Sequence, residues 1–365
     1  MIKIAVIKGD GTGPEVINEA LKVLGALEAK FNLALNFDVL PFHAGRYLKE
    51  GKTLSDEELE NLKSYDAILL GAIGDARVKP GILEREILLK IRFGLDQYIN
   101  YRPVTLYEGV QTPLHFKDSK KPDYIVIREN CSGLYKGYGE TQKKGSTDEL
   151  AIQEMHYSYK EVKRCLRFAF QTVRKRHFDS PWVGLSPEDR AQGFCGKLTL
   201  CGKSNVLSYV FDLWMRVFEE LQAEFPDVKC DYVHVDACCI YMVESPQRFD
   251  VIVTTNMFGD IITDLAAVTQ GGLGVSAGAN INPESVSMFE PIGGTAPDFT
   301  GLNQINPIAA ISAAQLMIDY LGFNEPAKAI ELAKMKVISQ MKSQAAGKMG
   351  FSTSEIGDLF VKELA

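Results

Sequence analysis

Short aliphatic and β-branched runs alternate along this chain with longer segments of helical spacing, and that alternation restricts the fold more than any other feature. IKIAVI (2–7), AILLGAI (67–73), YIVIRE (124–129), KLTLCG (197–202), YVHVDA (232–237) and DVIVTTN (250–256) read as strands. PEVINEALKVLGALEAKF (14–31), YSYKEVKRCLRFAFQTVRKRH (157–177) and NVLSYVFDLWMRVFEELQAEF (205–225) carry apolar residues at helical spacing, the first with proline at its start. Strand–helix alternation implies an α/β architecture with a largely parallel sheet. The 365 residues suffice for two domains with full cores. FDSPWVGLSPEDRAQGF (178–194), rich in turn formers, is expected to be an exposed loop.

The charge balance narrows the function. A net charge of −7 argues against nucleic acid or an anionic membrane as partner. MIKIAVIKGDG has no signal-peptide cleavage pattern, no segment approaches the ~18 apolar residues of a membrane span, and a cytoplasmic location is expected. The seven cysteines form no CxxC pair, which suggests reduced, buried thiols. Cys238 and Cys239 are expected on opposite faces of a strand.

Several polar residues interrupt this framework. The turn Gly9-Asp10-Gly11-Thr12-Gly13 follows a strand and opens a helix, but it lacks the G-x-G-x-x-G spacing, so a tight turn is favoured over a pyrophosphate cradle. In FGDIITDLAA (258–267), Asp260 and Asp264 stand four apart in an apolar run. They either cap a helix or, sharing one helical face, reach a common ion. Asp236 ends a strand reading and is followed by apolar ACCIYMV, where burial is expected. Three aspartates offer hard oxygen ligands for Mg²⁺ or Mn²⁺. Arg92, Arg102 and Arg128 suit bidentate carboxylate recognition, although each alone also suits a surface ion pair. Tyr135 follows Arg128 by seven residues, and Lys203 sits in CGKSNVL, where a strand gives way to a helix.

The ordered set IKGDGTGPEV, LDQYINYRPV, IRENCSGLYKG, GKSNVL, HVDA, NMFGDIITD and EPIGGTAPDFTG resembles the β-decarboxylating dehydrogenases, among them the isopropylmalate, isocitrate, homoisocitrate and tartrate enzymes. The resemblance implies a two-domain isocitrate/isopropylmalate dehydrogenase-like α/β fold and not a Rossmann fold. It places residues 1–98 with 271–365 in a first domain on the cofactor side. Residues 99–270 form the second domain, with the dimer interface, the metal aspartates and an arm near 133–155. Arg92, Arg102 and Arg128 would clamp substrate carboxylates, and Asp236, Asp260 and Asp264 would hold Mg²⁺ or Mn²⁺. Lys203 would take the hydroxyl proton, Tyr135 would reprotonate the enol, and Lys203 and Asp236 would serve the neighbouring subunit of a homodimer.

For the cofactor the resemblance implies NAD. Gly293-Gly294 punctuate the loop around the adenosine, Asp298 accepts from the ribose, Asn306 faces the adenine and Glu290 lies near the nicotinamide ribose. Leu88 and Leu89, with Val206, would wall an isopropyl group, pointing to the isopropylmalate branch and to the oxidative step of leucine biosynthesis. Tartrate or D-malate decarboxylation is the alternative activity. A silent regulatory homologue is the alternative class, disfavoured because every catalytic residue type is present. The chain departs from the family pattern at Gly202, Cys131-Ser132 and Gly293, which leaves substrate and cofactor affinity open.

Overall fold

The structure is a computed structural model that describes residues 1–114 and 121–365. In chain order its strands are β1 (Ile2–Gly9), β2 (Leu35–Val39), β3 (Ala67–Ala72), β4 (Ile99–Thr105), β5 (Asp123–Glu129), β6 (Gly139–Gln142), β7 (Leu150–Gln153), β8 (Gly196–Gly202), β9 (Val228–His234), β10 (Val251–Thr254), β11 (Ala277–Ile281) and β12 (Ser287–Pro291). The helices are α1 (Gly13–Phe31), α2 (Ala44–Glu50), α3 (Asp56–Leu62), α4 (Lys90–Gly94), α5 (Tyr159–Arg176), α6 (Pro187–Ala191), α7 (Ser208–Glu224), α8 (Val235–Glu244), α9 (Asn256–Thr269), α10 (Ile308–Tyr320), α11 (Asn324–Gln340) and α12 (Thr353–Leu364). A π-helical segment, Glu84–Leu89, runs directly into α4. The chain divides into two compact units. One is Met1–Gln97, Thr105–His115 and Ala267–Ala365; the other is Tyr98–Val104 and Phe116–Ala266.

In the first unit the strands run β2-β1-β3-β12-β11, all parallel except β11, which is antiparallel to β12. All six residues of β3 are buried, as expected of a parallel strand covered on both faces. Pro14 lies in the first turn of α1, where its fixed φ helps and its missing N–H costs nothing. Helix α10, IAAISAAQLMIDY, is apolar nearly all round and is accordingly buried, packed against α1 and α11. The glycine turn after β1 is structural. Gly9 and Gly11 have φ of +72° and +57°, and a Cβ on Gly9 would strike the Ala72 carbonyl. Asp10 pins the turn from inside, accepting the Ala44 and Gly74 N–H groups at 2.8 and 3.1 Å.

In the second unit the order is β4-β5-β10-β8-β9, with β5, β10, β8 and β9 parallel. A capping box from Ser158 and Glu161 starts α5, satisfying two backbone donors that the first turn leaves open. The apolar faces of α5 and α7 meet through Phe170, whose ring centroid is 5.5 Å from Phe218 and 5.0 Å from Phe225. Burying each such ring contributes about 1.5–3 kcal/mol. β6 and β7 form an exposed antiparallel hairpin, Gly139 opposite Gln153.

Two local expectations are corrected here. The strand reading of YVHVDA stops at His234, because the ladder with β8 ends at the pair Gly202–His234 and no partner continues it. Asp236, Cys238 and Cys239 therefore lie on α8, and the two cysteines are not on opposite faces of a strand. Segment 178–194 is not simply an exposed loop, since it contains the capped helix α6 and buries Trp182 and Leu185. Among the described residues no helix is long and apolar enough to cross a membrane.

Candidate active site

The C-terminal ends of the second unit's parallel strands gather the chemistry-bearing residues, as is usual for open α/β sheets. Arg128 lies near the end of β5, Lys203 directly after β8, Asp236 just past β9 and Asn256 just past β10. Arg128 is the centre of the arrangement. It is 2% exposed, and a buried guanidinium needs its charge and donors matched. Asn256 Oδ1 accepts from its Nε at 3.0 Å and from its Nη2 at 2.8 Å. Its Nη1 forms a short ion pair with Asp260 Oδ1. Asn256 is held in turn by donating Nδ2–H to the Ser132 carbonyl at 3.0 Å, and its backbone N–H to the Tyr157 hydroxyl at 2.9 Å.

Helix α9 begins at Asn256, which places Asp260 and Asp264 in its interior and rules out capping for both. Four residues apart, they project from the same side of the helix, and both are exposed. Asp260 Oδ2 accepts the Tyr135 hydroxyl at 2.5 Å, and the Arg128 guanidinium lies 5.1 Å from the Tyr135 ring centroid. Partial burial acts to raise the Asp260 pKa, but the Arg128 charge and the Tyr135 and Arg128 hydrogen bonds outweigh it and hold the carboxyl below its usual range. Burial and the bond to Asp260 push the Tyr135 hydroxyl up, so it keeps its proton at neutral pH. The Asp264 side chain makes no hydrogen bond among the described residues.

Lys203 donates to Asp236 Oδ2 at 2.8 Å, and that contact lowers the Asp236 pKa. Asp236 is exposed in the first turn of α8, contrary to the burial expected of it. Among the described residues no three of His, Cys, Asp and Glu come together as a ligand set. The chain therefore joins Asp260 and Asp264 on α9 but does not bring Asp236 into one cluster with them. The donor chemistry, hard carboxylate oxygens with Asp264 uncommitted, fits Mg²⁺ or Mn²⁺. Arg102 donates to Asn100 Oδ1 at 2.7 Å and adds to the positive field on Asp260. Val206, in the same unit, is 66% exposed.

In the first unit, Arg92 is half-buried on α4. Leu88 packs against the core cluster containing Ile87 and Ile91, whereas Leu89 is half-buried outside that cluster. The two leucines thus do different things. The same unit contains a cleft of about 540 Å³ lined largely by small residues, among them Gly13, Gly272, Gly294, Ala309 and Ala345. Thr12 and Gly13 place the glycine turn on its wall, and a Cβ on Gly293 or Gly294 would meet nothing within 4 Å. Small side chains and open glycines leave room for a planar base. Asn306 lines the cleft with its side chain committed, Oδ1 accepting from Ile308 N at 3.0 Å and Nδ2 donating to Gln344 O at 2.9 Å. Asp298 is exposed and Glu290 accepts from Asn280 at 2.7 Å; neither lines the cleft.

Sequence reasoning passed over Asn256 and Gly259. Their signal was a polar residue and a glycine just after the buried run VIVTT. A Cβ on Gly259 would lie 2.6 Å from Arg128 Cβ and 2.9 Å from its Cδ, so only glycine lets α9 pass over the arginine stem. The departures also have local roles. Gly202 leaves space for Phe211, whose Cδ1 would be 2.6 Å from an added Cβ. The backbone N–H groups of Cys131 and Ser132 both donate at 2.9 Å to the buried Glu129 carboxylate, whose pKa burial nevertheless raises to about 7.

The family model described as isocitrate/isopropylmalate dehydrogenase matches residues 3–360. A 3-isopropylmalate dehydrogenase of Thermobifida fusca (strain YX) is 42% identical over 366 residues, spanning 100% of this chain and 98% of that protein. One from Streptomyces coelicolor is 43% identical over 366 residues, spanning 100% and 99%. Among solved structures, isocitrate dehydrogenase from Methylococcus capsulatus superposes with a TM-score of 0.84 at 31% identity, covering 100% of this chain and 99% of that one.

Proposed function

Because the chain belongs to the isocitrate/isopropylmalate dehydrogenase family, we propose that it oxidises and decarboxylates 3-isopropylmalate to 4-methyl-2-oxopentanoate and CO₂ with NAD as acceptor, in leucine biosynthesis. The observation that carries the reading is the Arg128–Asp260–Tyr135 cluster, a buried cation, a carboxylate and a protonated phenol around one point. Arg92, Arg102 and Arg128 bind the two substrate carboxylates. Asp260 and Asp264, with Asp236 of the partner subunit, would hold the divalent cation. When bound, the cation would supply Lewis-acid stabilisation of negative charge on the substrate oxygens, and NAD would supply the hydride acceptor. Lys203 accepts the 2-hydroxyl proton, and Tyr135, protonated at neutral pH, returns a proton to the enol.

Two observations support a homodimer with shared sites. Lys203 and Asp236 are tied to each other rather than to the α9 pair, so one chain offers half of each of two sites. Helices α8 and α9 also expose Ile240, Val243, Met257 and Ile261, an apolar face suited to a second copy. The cleft of the first unit would take the adenosine, against Gly294 and Asn306, with Asp298 and Glu290 toward the riboses. Leu89, with Val206 of the partner subunit, would contact the isopropyl group.

The deciding experiment is NADH formation by purified protein with Mg²⁺ or Mn²⁺ and a panel of 3-isopropylmalate, isocitrate, D-malate and tartrate. The highest kcat/KM should fall on 3-isopropylmalate and vanish with EDTA. A preference for D-malate or tartrate would overturn the substrate assignment. No turnover on any of them, with metal present, would overturn the enzyme reading.

A further inference from the structure

The second unit contains another cleft, of about 950 Å³, at the opposite ends of the same strands. Asp123 opens β5, Lys197 and Lys229 are the second residues of β8 and β9, and Arg248 precedes β10. Seven-residue strands such as β8 separate this cleft from Lys203 by about 20 Å at ~3.3 Å per residue. It is therefore distinct from the catalytic end.

Its charge runs against that of the protein. The chain carries a net −7, yet Arg176, Lys197, Lys229 and Arg248 gather on the wall of the cleft, with Asp123 and Asp189 beside them and Asp231 and Asp250 behind Lys197 and Arg176, among the described residues. Arg176 is matched to Asp123 at 2.7 Å and to the buried Asp250 at 3.0 Å, and Lys229 to Asp189 at 2.7 Å. Lys197 is 9% exposed and among the described residues its Nζ reaches one carboxylate oxygen, Asp231 Oδ2, at a long 3.4 Å. Burial correspondingly pushes its pKa down, the sign of a cation short of compensation. Arg248 has no ion pair among the described residues; its guanidinium lies 3.8 Å from the Tyr241 ring centroid, which orients it without neutralising it. Trp182, from the segment 178–194, walls the cleft with Lys197 Nζ 5.6 Å from its ring centroid. A volume within the usual ~300–1,000 Å³ of ligand sites, a buried lysine held by one long ion pair and an arginine oriented without an ion pair together describe an anion receptor.

We propose that this cleft is a binding site for a small multivalent oxyanion, phosphate- or carboxylate-bearing, held by Lys197 and Arg248 and separate from the substrate and cofactor sites. The proposal does not depend on the dehydrogenase reading. The chain has two tryptophans, and Trp214 is fully buried in the core, so a Trp214→Phe variant leaves Trp182 as a reporter of this cleft alone. Pyrophosphate and citrate are titrated separately at ionic strength held constant with sodium chloride. The expected result is a saturable change in Trp182 emission with at least one of them, the tighter identifying the favoured anion class. In the Arg248→Gln background the apparent Kd should rise about tenfold, the loss of one charge-assisted contact. Dehydrogenase activity of Arg248→Gln without added anion should equal that of the parent. Should Trp214→Phe fail to fold, calorimetric titration of the otherwise unaltered protein and of Arg248→Gln with pyrophosphate makes the same comparison. No saturable response to either anion, or saturation with equal affinity in Arg248→Gln, would overturn the proposal.

Discussion

Gly259→Ala isolates what α9 does for Arg128. The added methyl would lie 2.6 Å from Arg128 Cβ and 2.9 Å from its Cδ, and closer still to Cγ. Ordinary carbon contacts lie near 3.5–4.0 Å, so the stem has to retreat by about 1 Å. Arg128 is 2% exposed and its head is fixed at 3.0 and 2.8 Å on Asn256 Oδ1, so a retreat of that size breaks those bonds. Misplacing a positioning group by ~1 Å costs on the order of 100-fold. The expectation is therefore a fall of about 100-fold in kcat/KM for 3-isopropylmalate, or ~2.7 kcal/mol. Stability should change less, since overpacking costs about 1–3 kcal/mol while alanine improves a helix over glycine by ~1 kcal/mol. Gly25→Ala is the control. Gly25 is exposed in the middle of α1 with nothing within 4 Å of an added Cβ, so it should gain about 0.5–1 kcal/mol with kcat/KM unchanged. Steady-state kinetics and urea unfolding of both variants make the comparison. Parental kcat/KM in Gly259→Ala would refute the idea that this glycine positions the arginine.

Asp260→Asn keeps the volume and removes a ligand charge, so turnover at limiting Mn²⁺ should collapse while the unfolding midpoint moves little; near-parental activity would remove Asp260 from the metal site. Tyr135→Phe and Lys203→Met should each be nearly inactive, yet mixed dimers should recover activity because one site receives both lesions and the other neither. Absence of recovery in verified heterodimers would refute site sharing. Leu89→Arg should lower kcat/KM for 3-isopropylmalate at least ~100-fold, because a cation facing an apolar substituent is left unpaired. Activity on isocitrate or homoisocitrate should rise, and unchanged isopropylmalate kinetics would take residue 89 out of the pocket.

Much of the architecture was legible in the chain because it rests on local periodicity. The alternation of IKIAVI-type runs with amphipathic segments specifies an α/β fold, since a parallel strand must be apolar throughout and a covering helix apolar on one face. The i, i+4 spacing of Asp260 and Asp264 likewise placed them together before any tertiary contact was known. The strand reading of Asp236 failed for the complementary reason. VHVD is locally as good a strand as any, but β8 stops pairing at Gly202 and the backbone turns helical, an event set by a segment more than thirty residues away.

The tertiary structure alone decided what surrounds Arg128. Asn256 stands 128 positions from it and Asp260 132, and no window of sequence reveals that their oxygens share one guanidinium. It decided that Gly259 and Gly202 are glycines for the sake of Arg128 and Phe211, and that of two adjacent leucines Leu88 serves the core while Leu89 does not. It also drew Lys197, Lys229 and Arg248 from separate strand starts to one cleft. Periodicity reports which face of an element is apolar, because that depends on neighbours along the chain. Which polar group meets which depends on how elements pack, and burial of a charge makes that pairing obligatory without writing it into any local pattern.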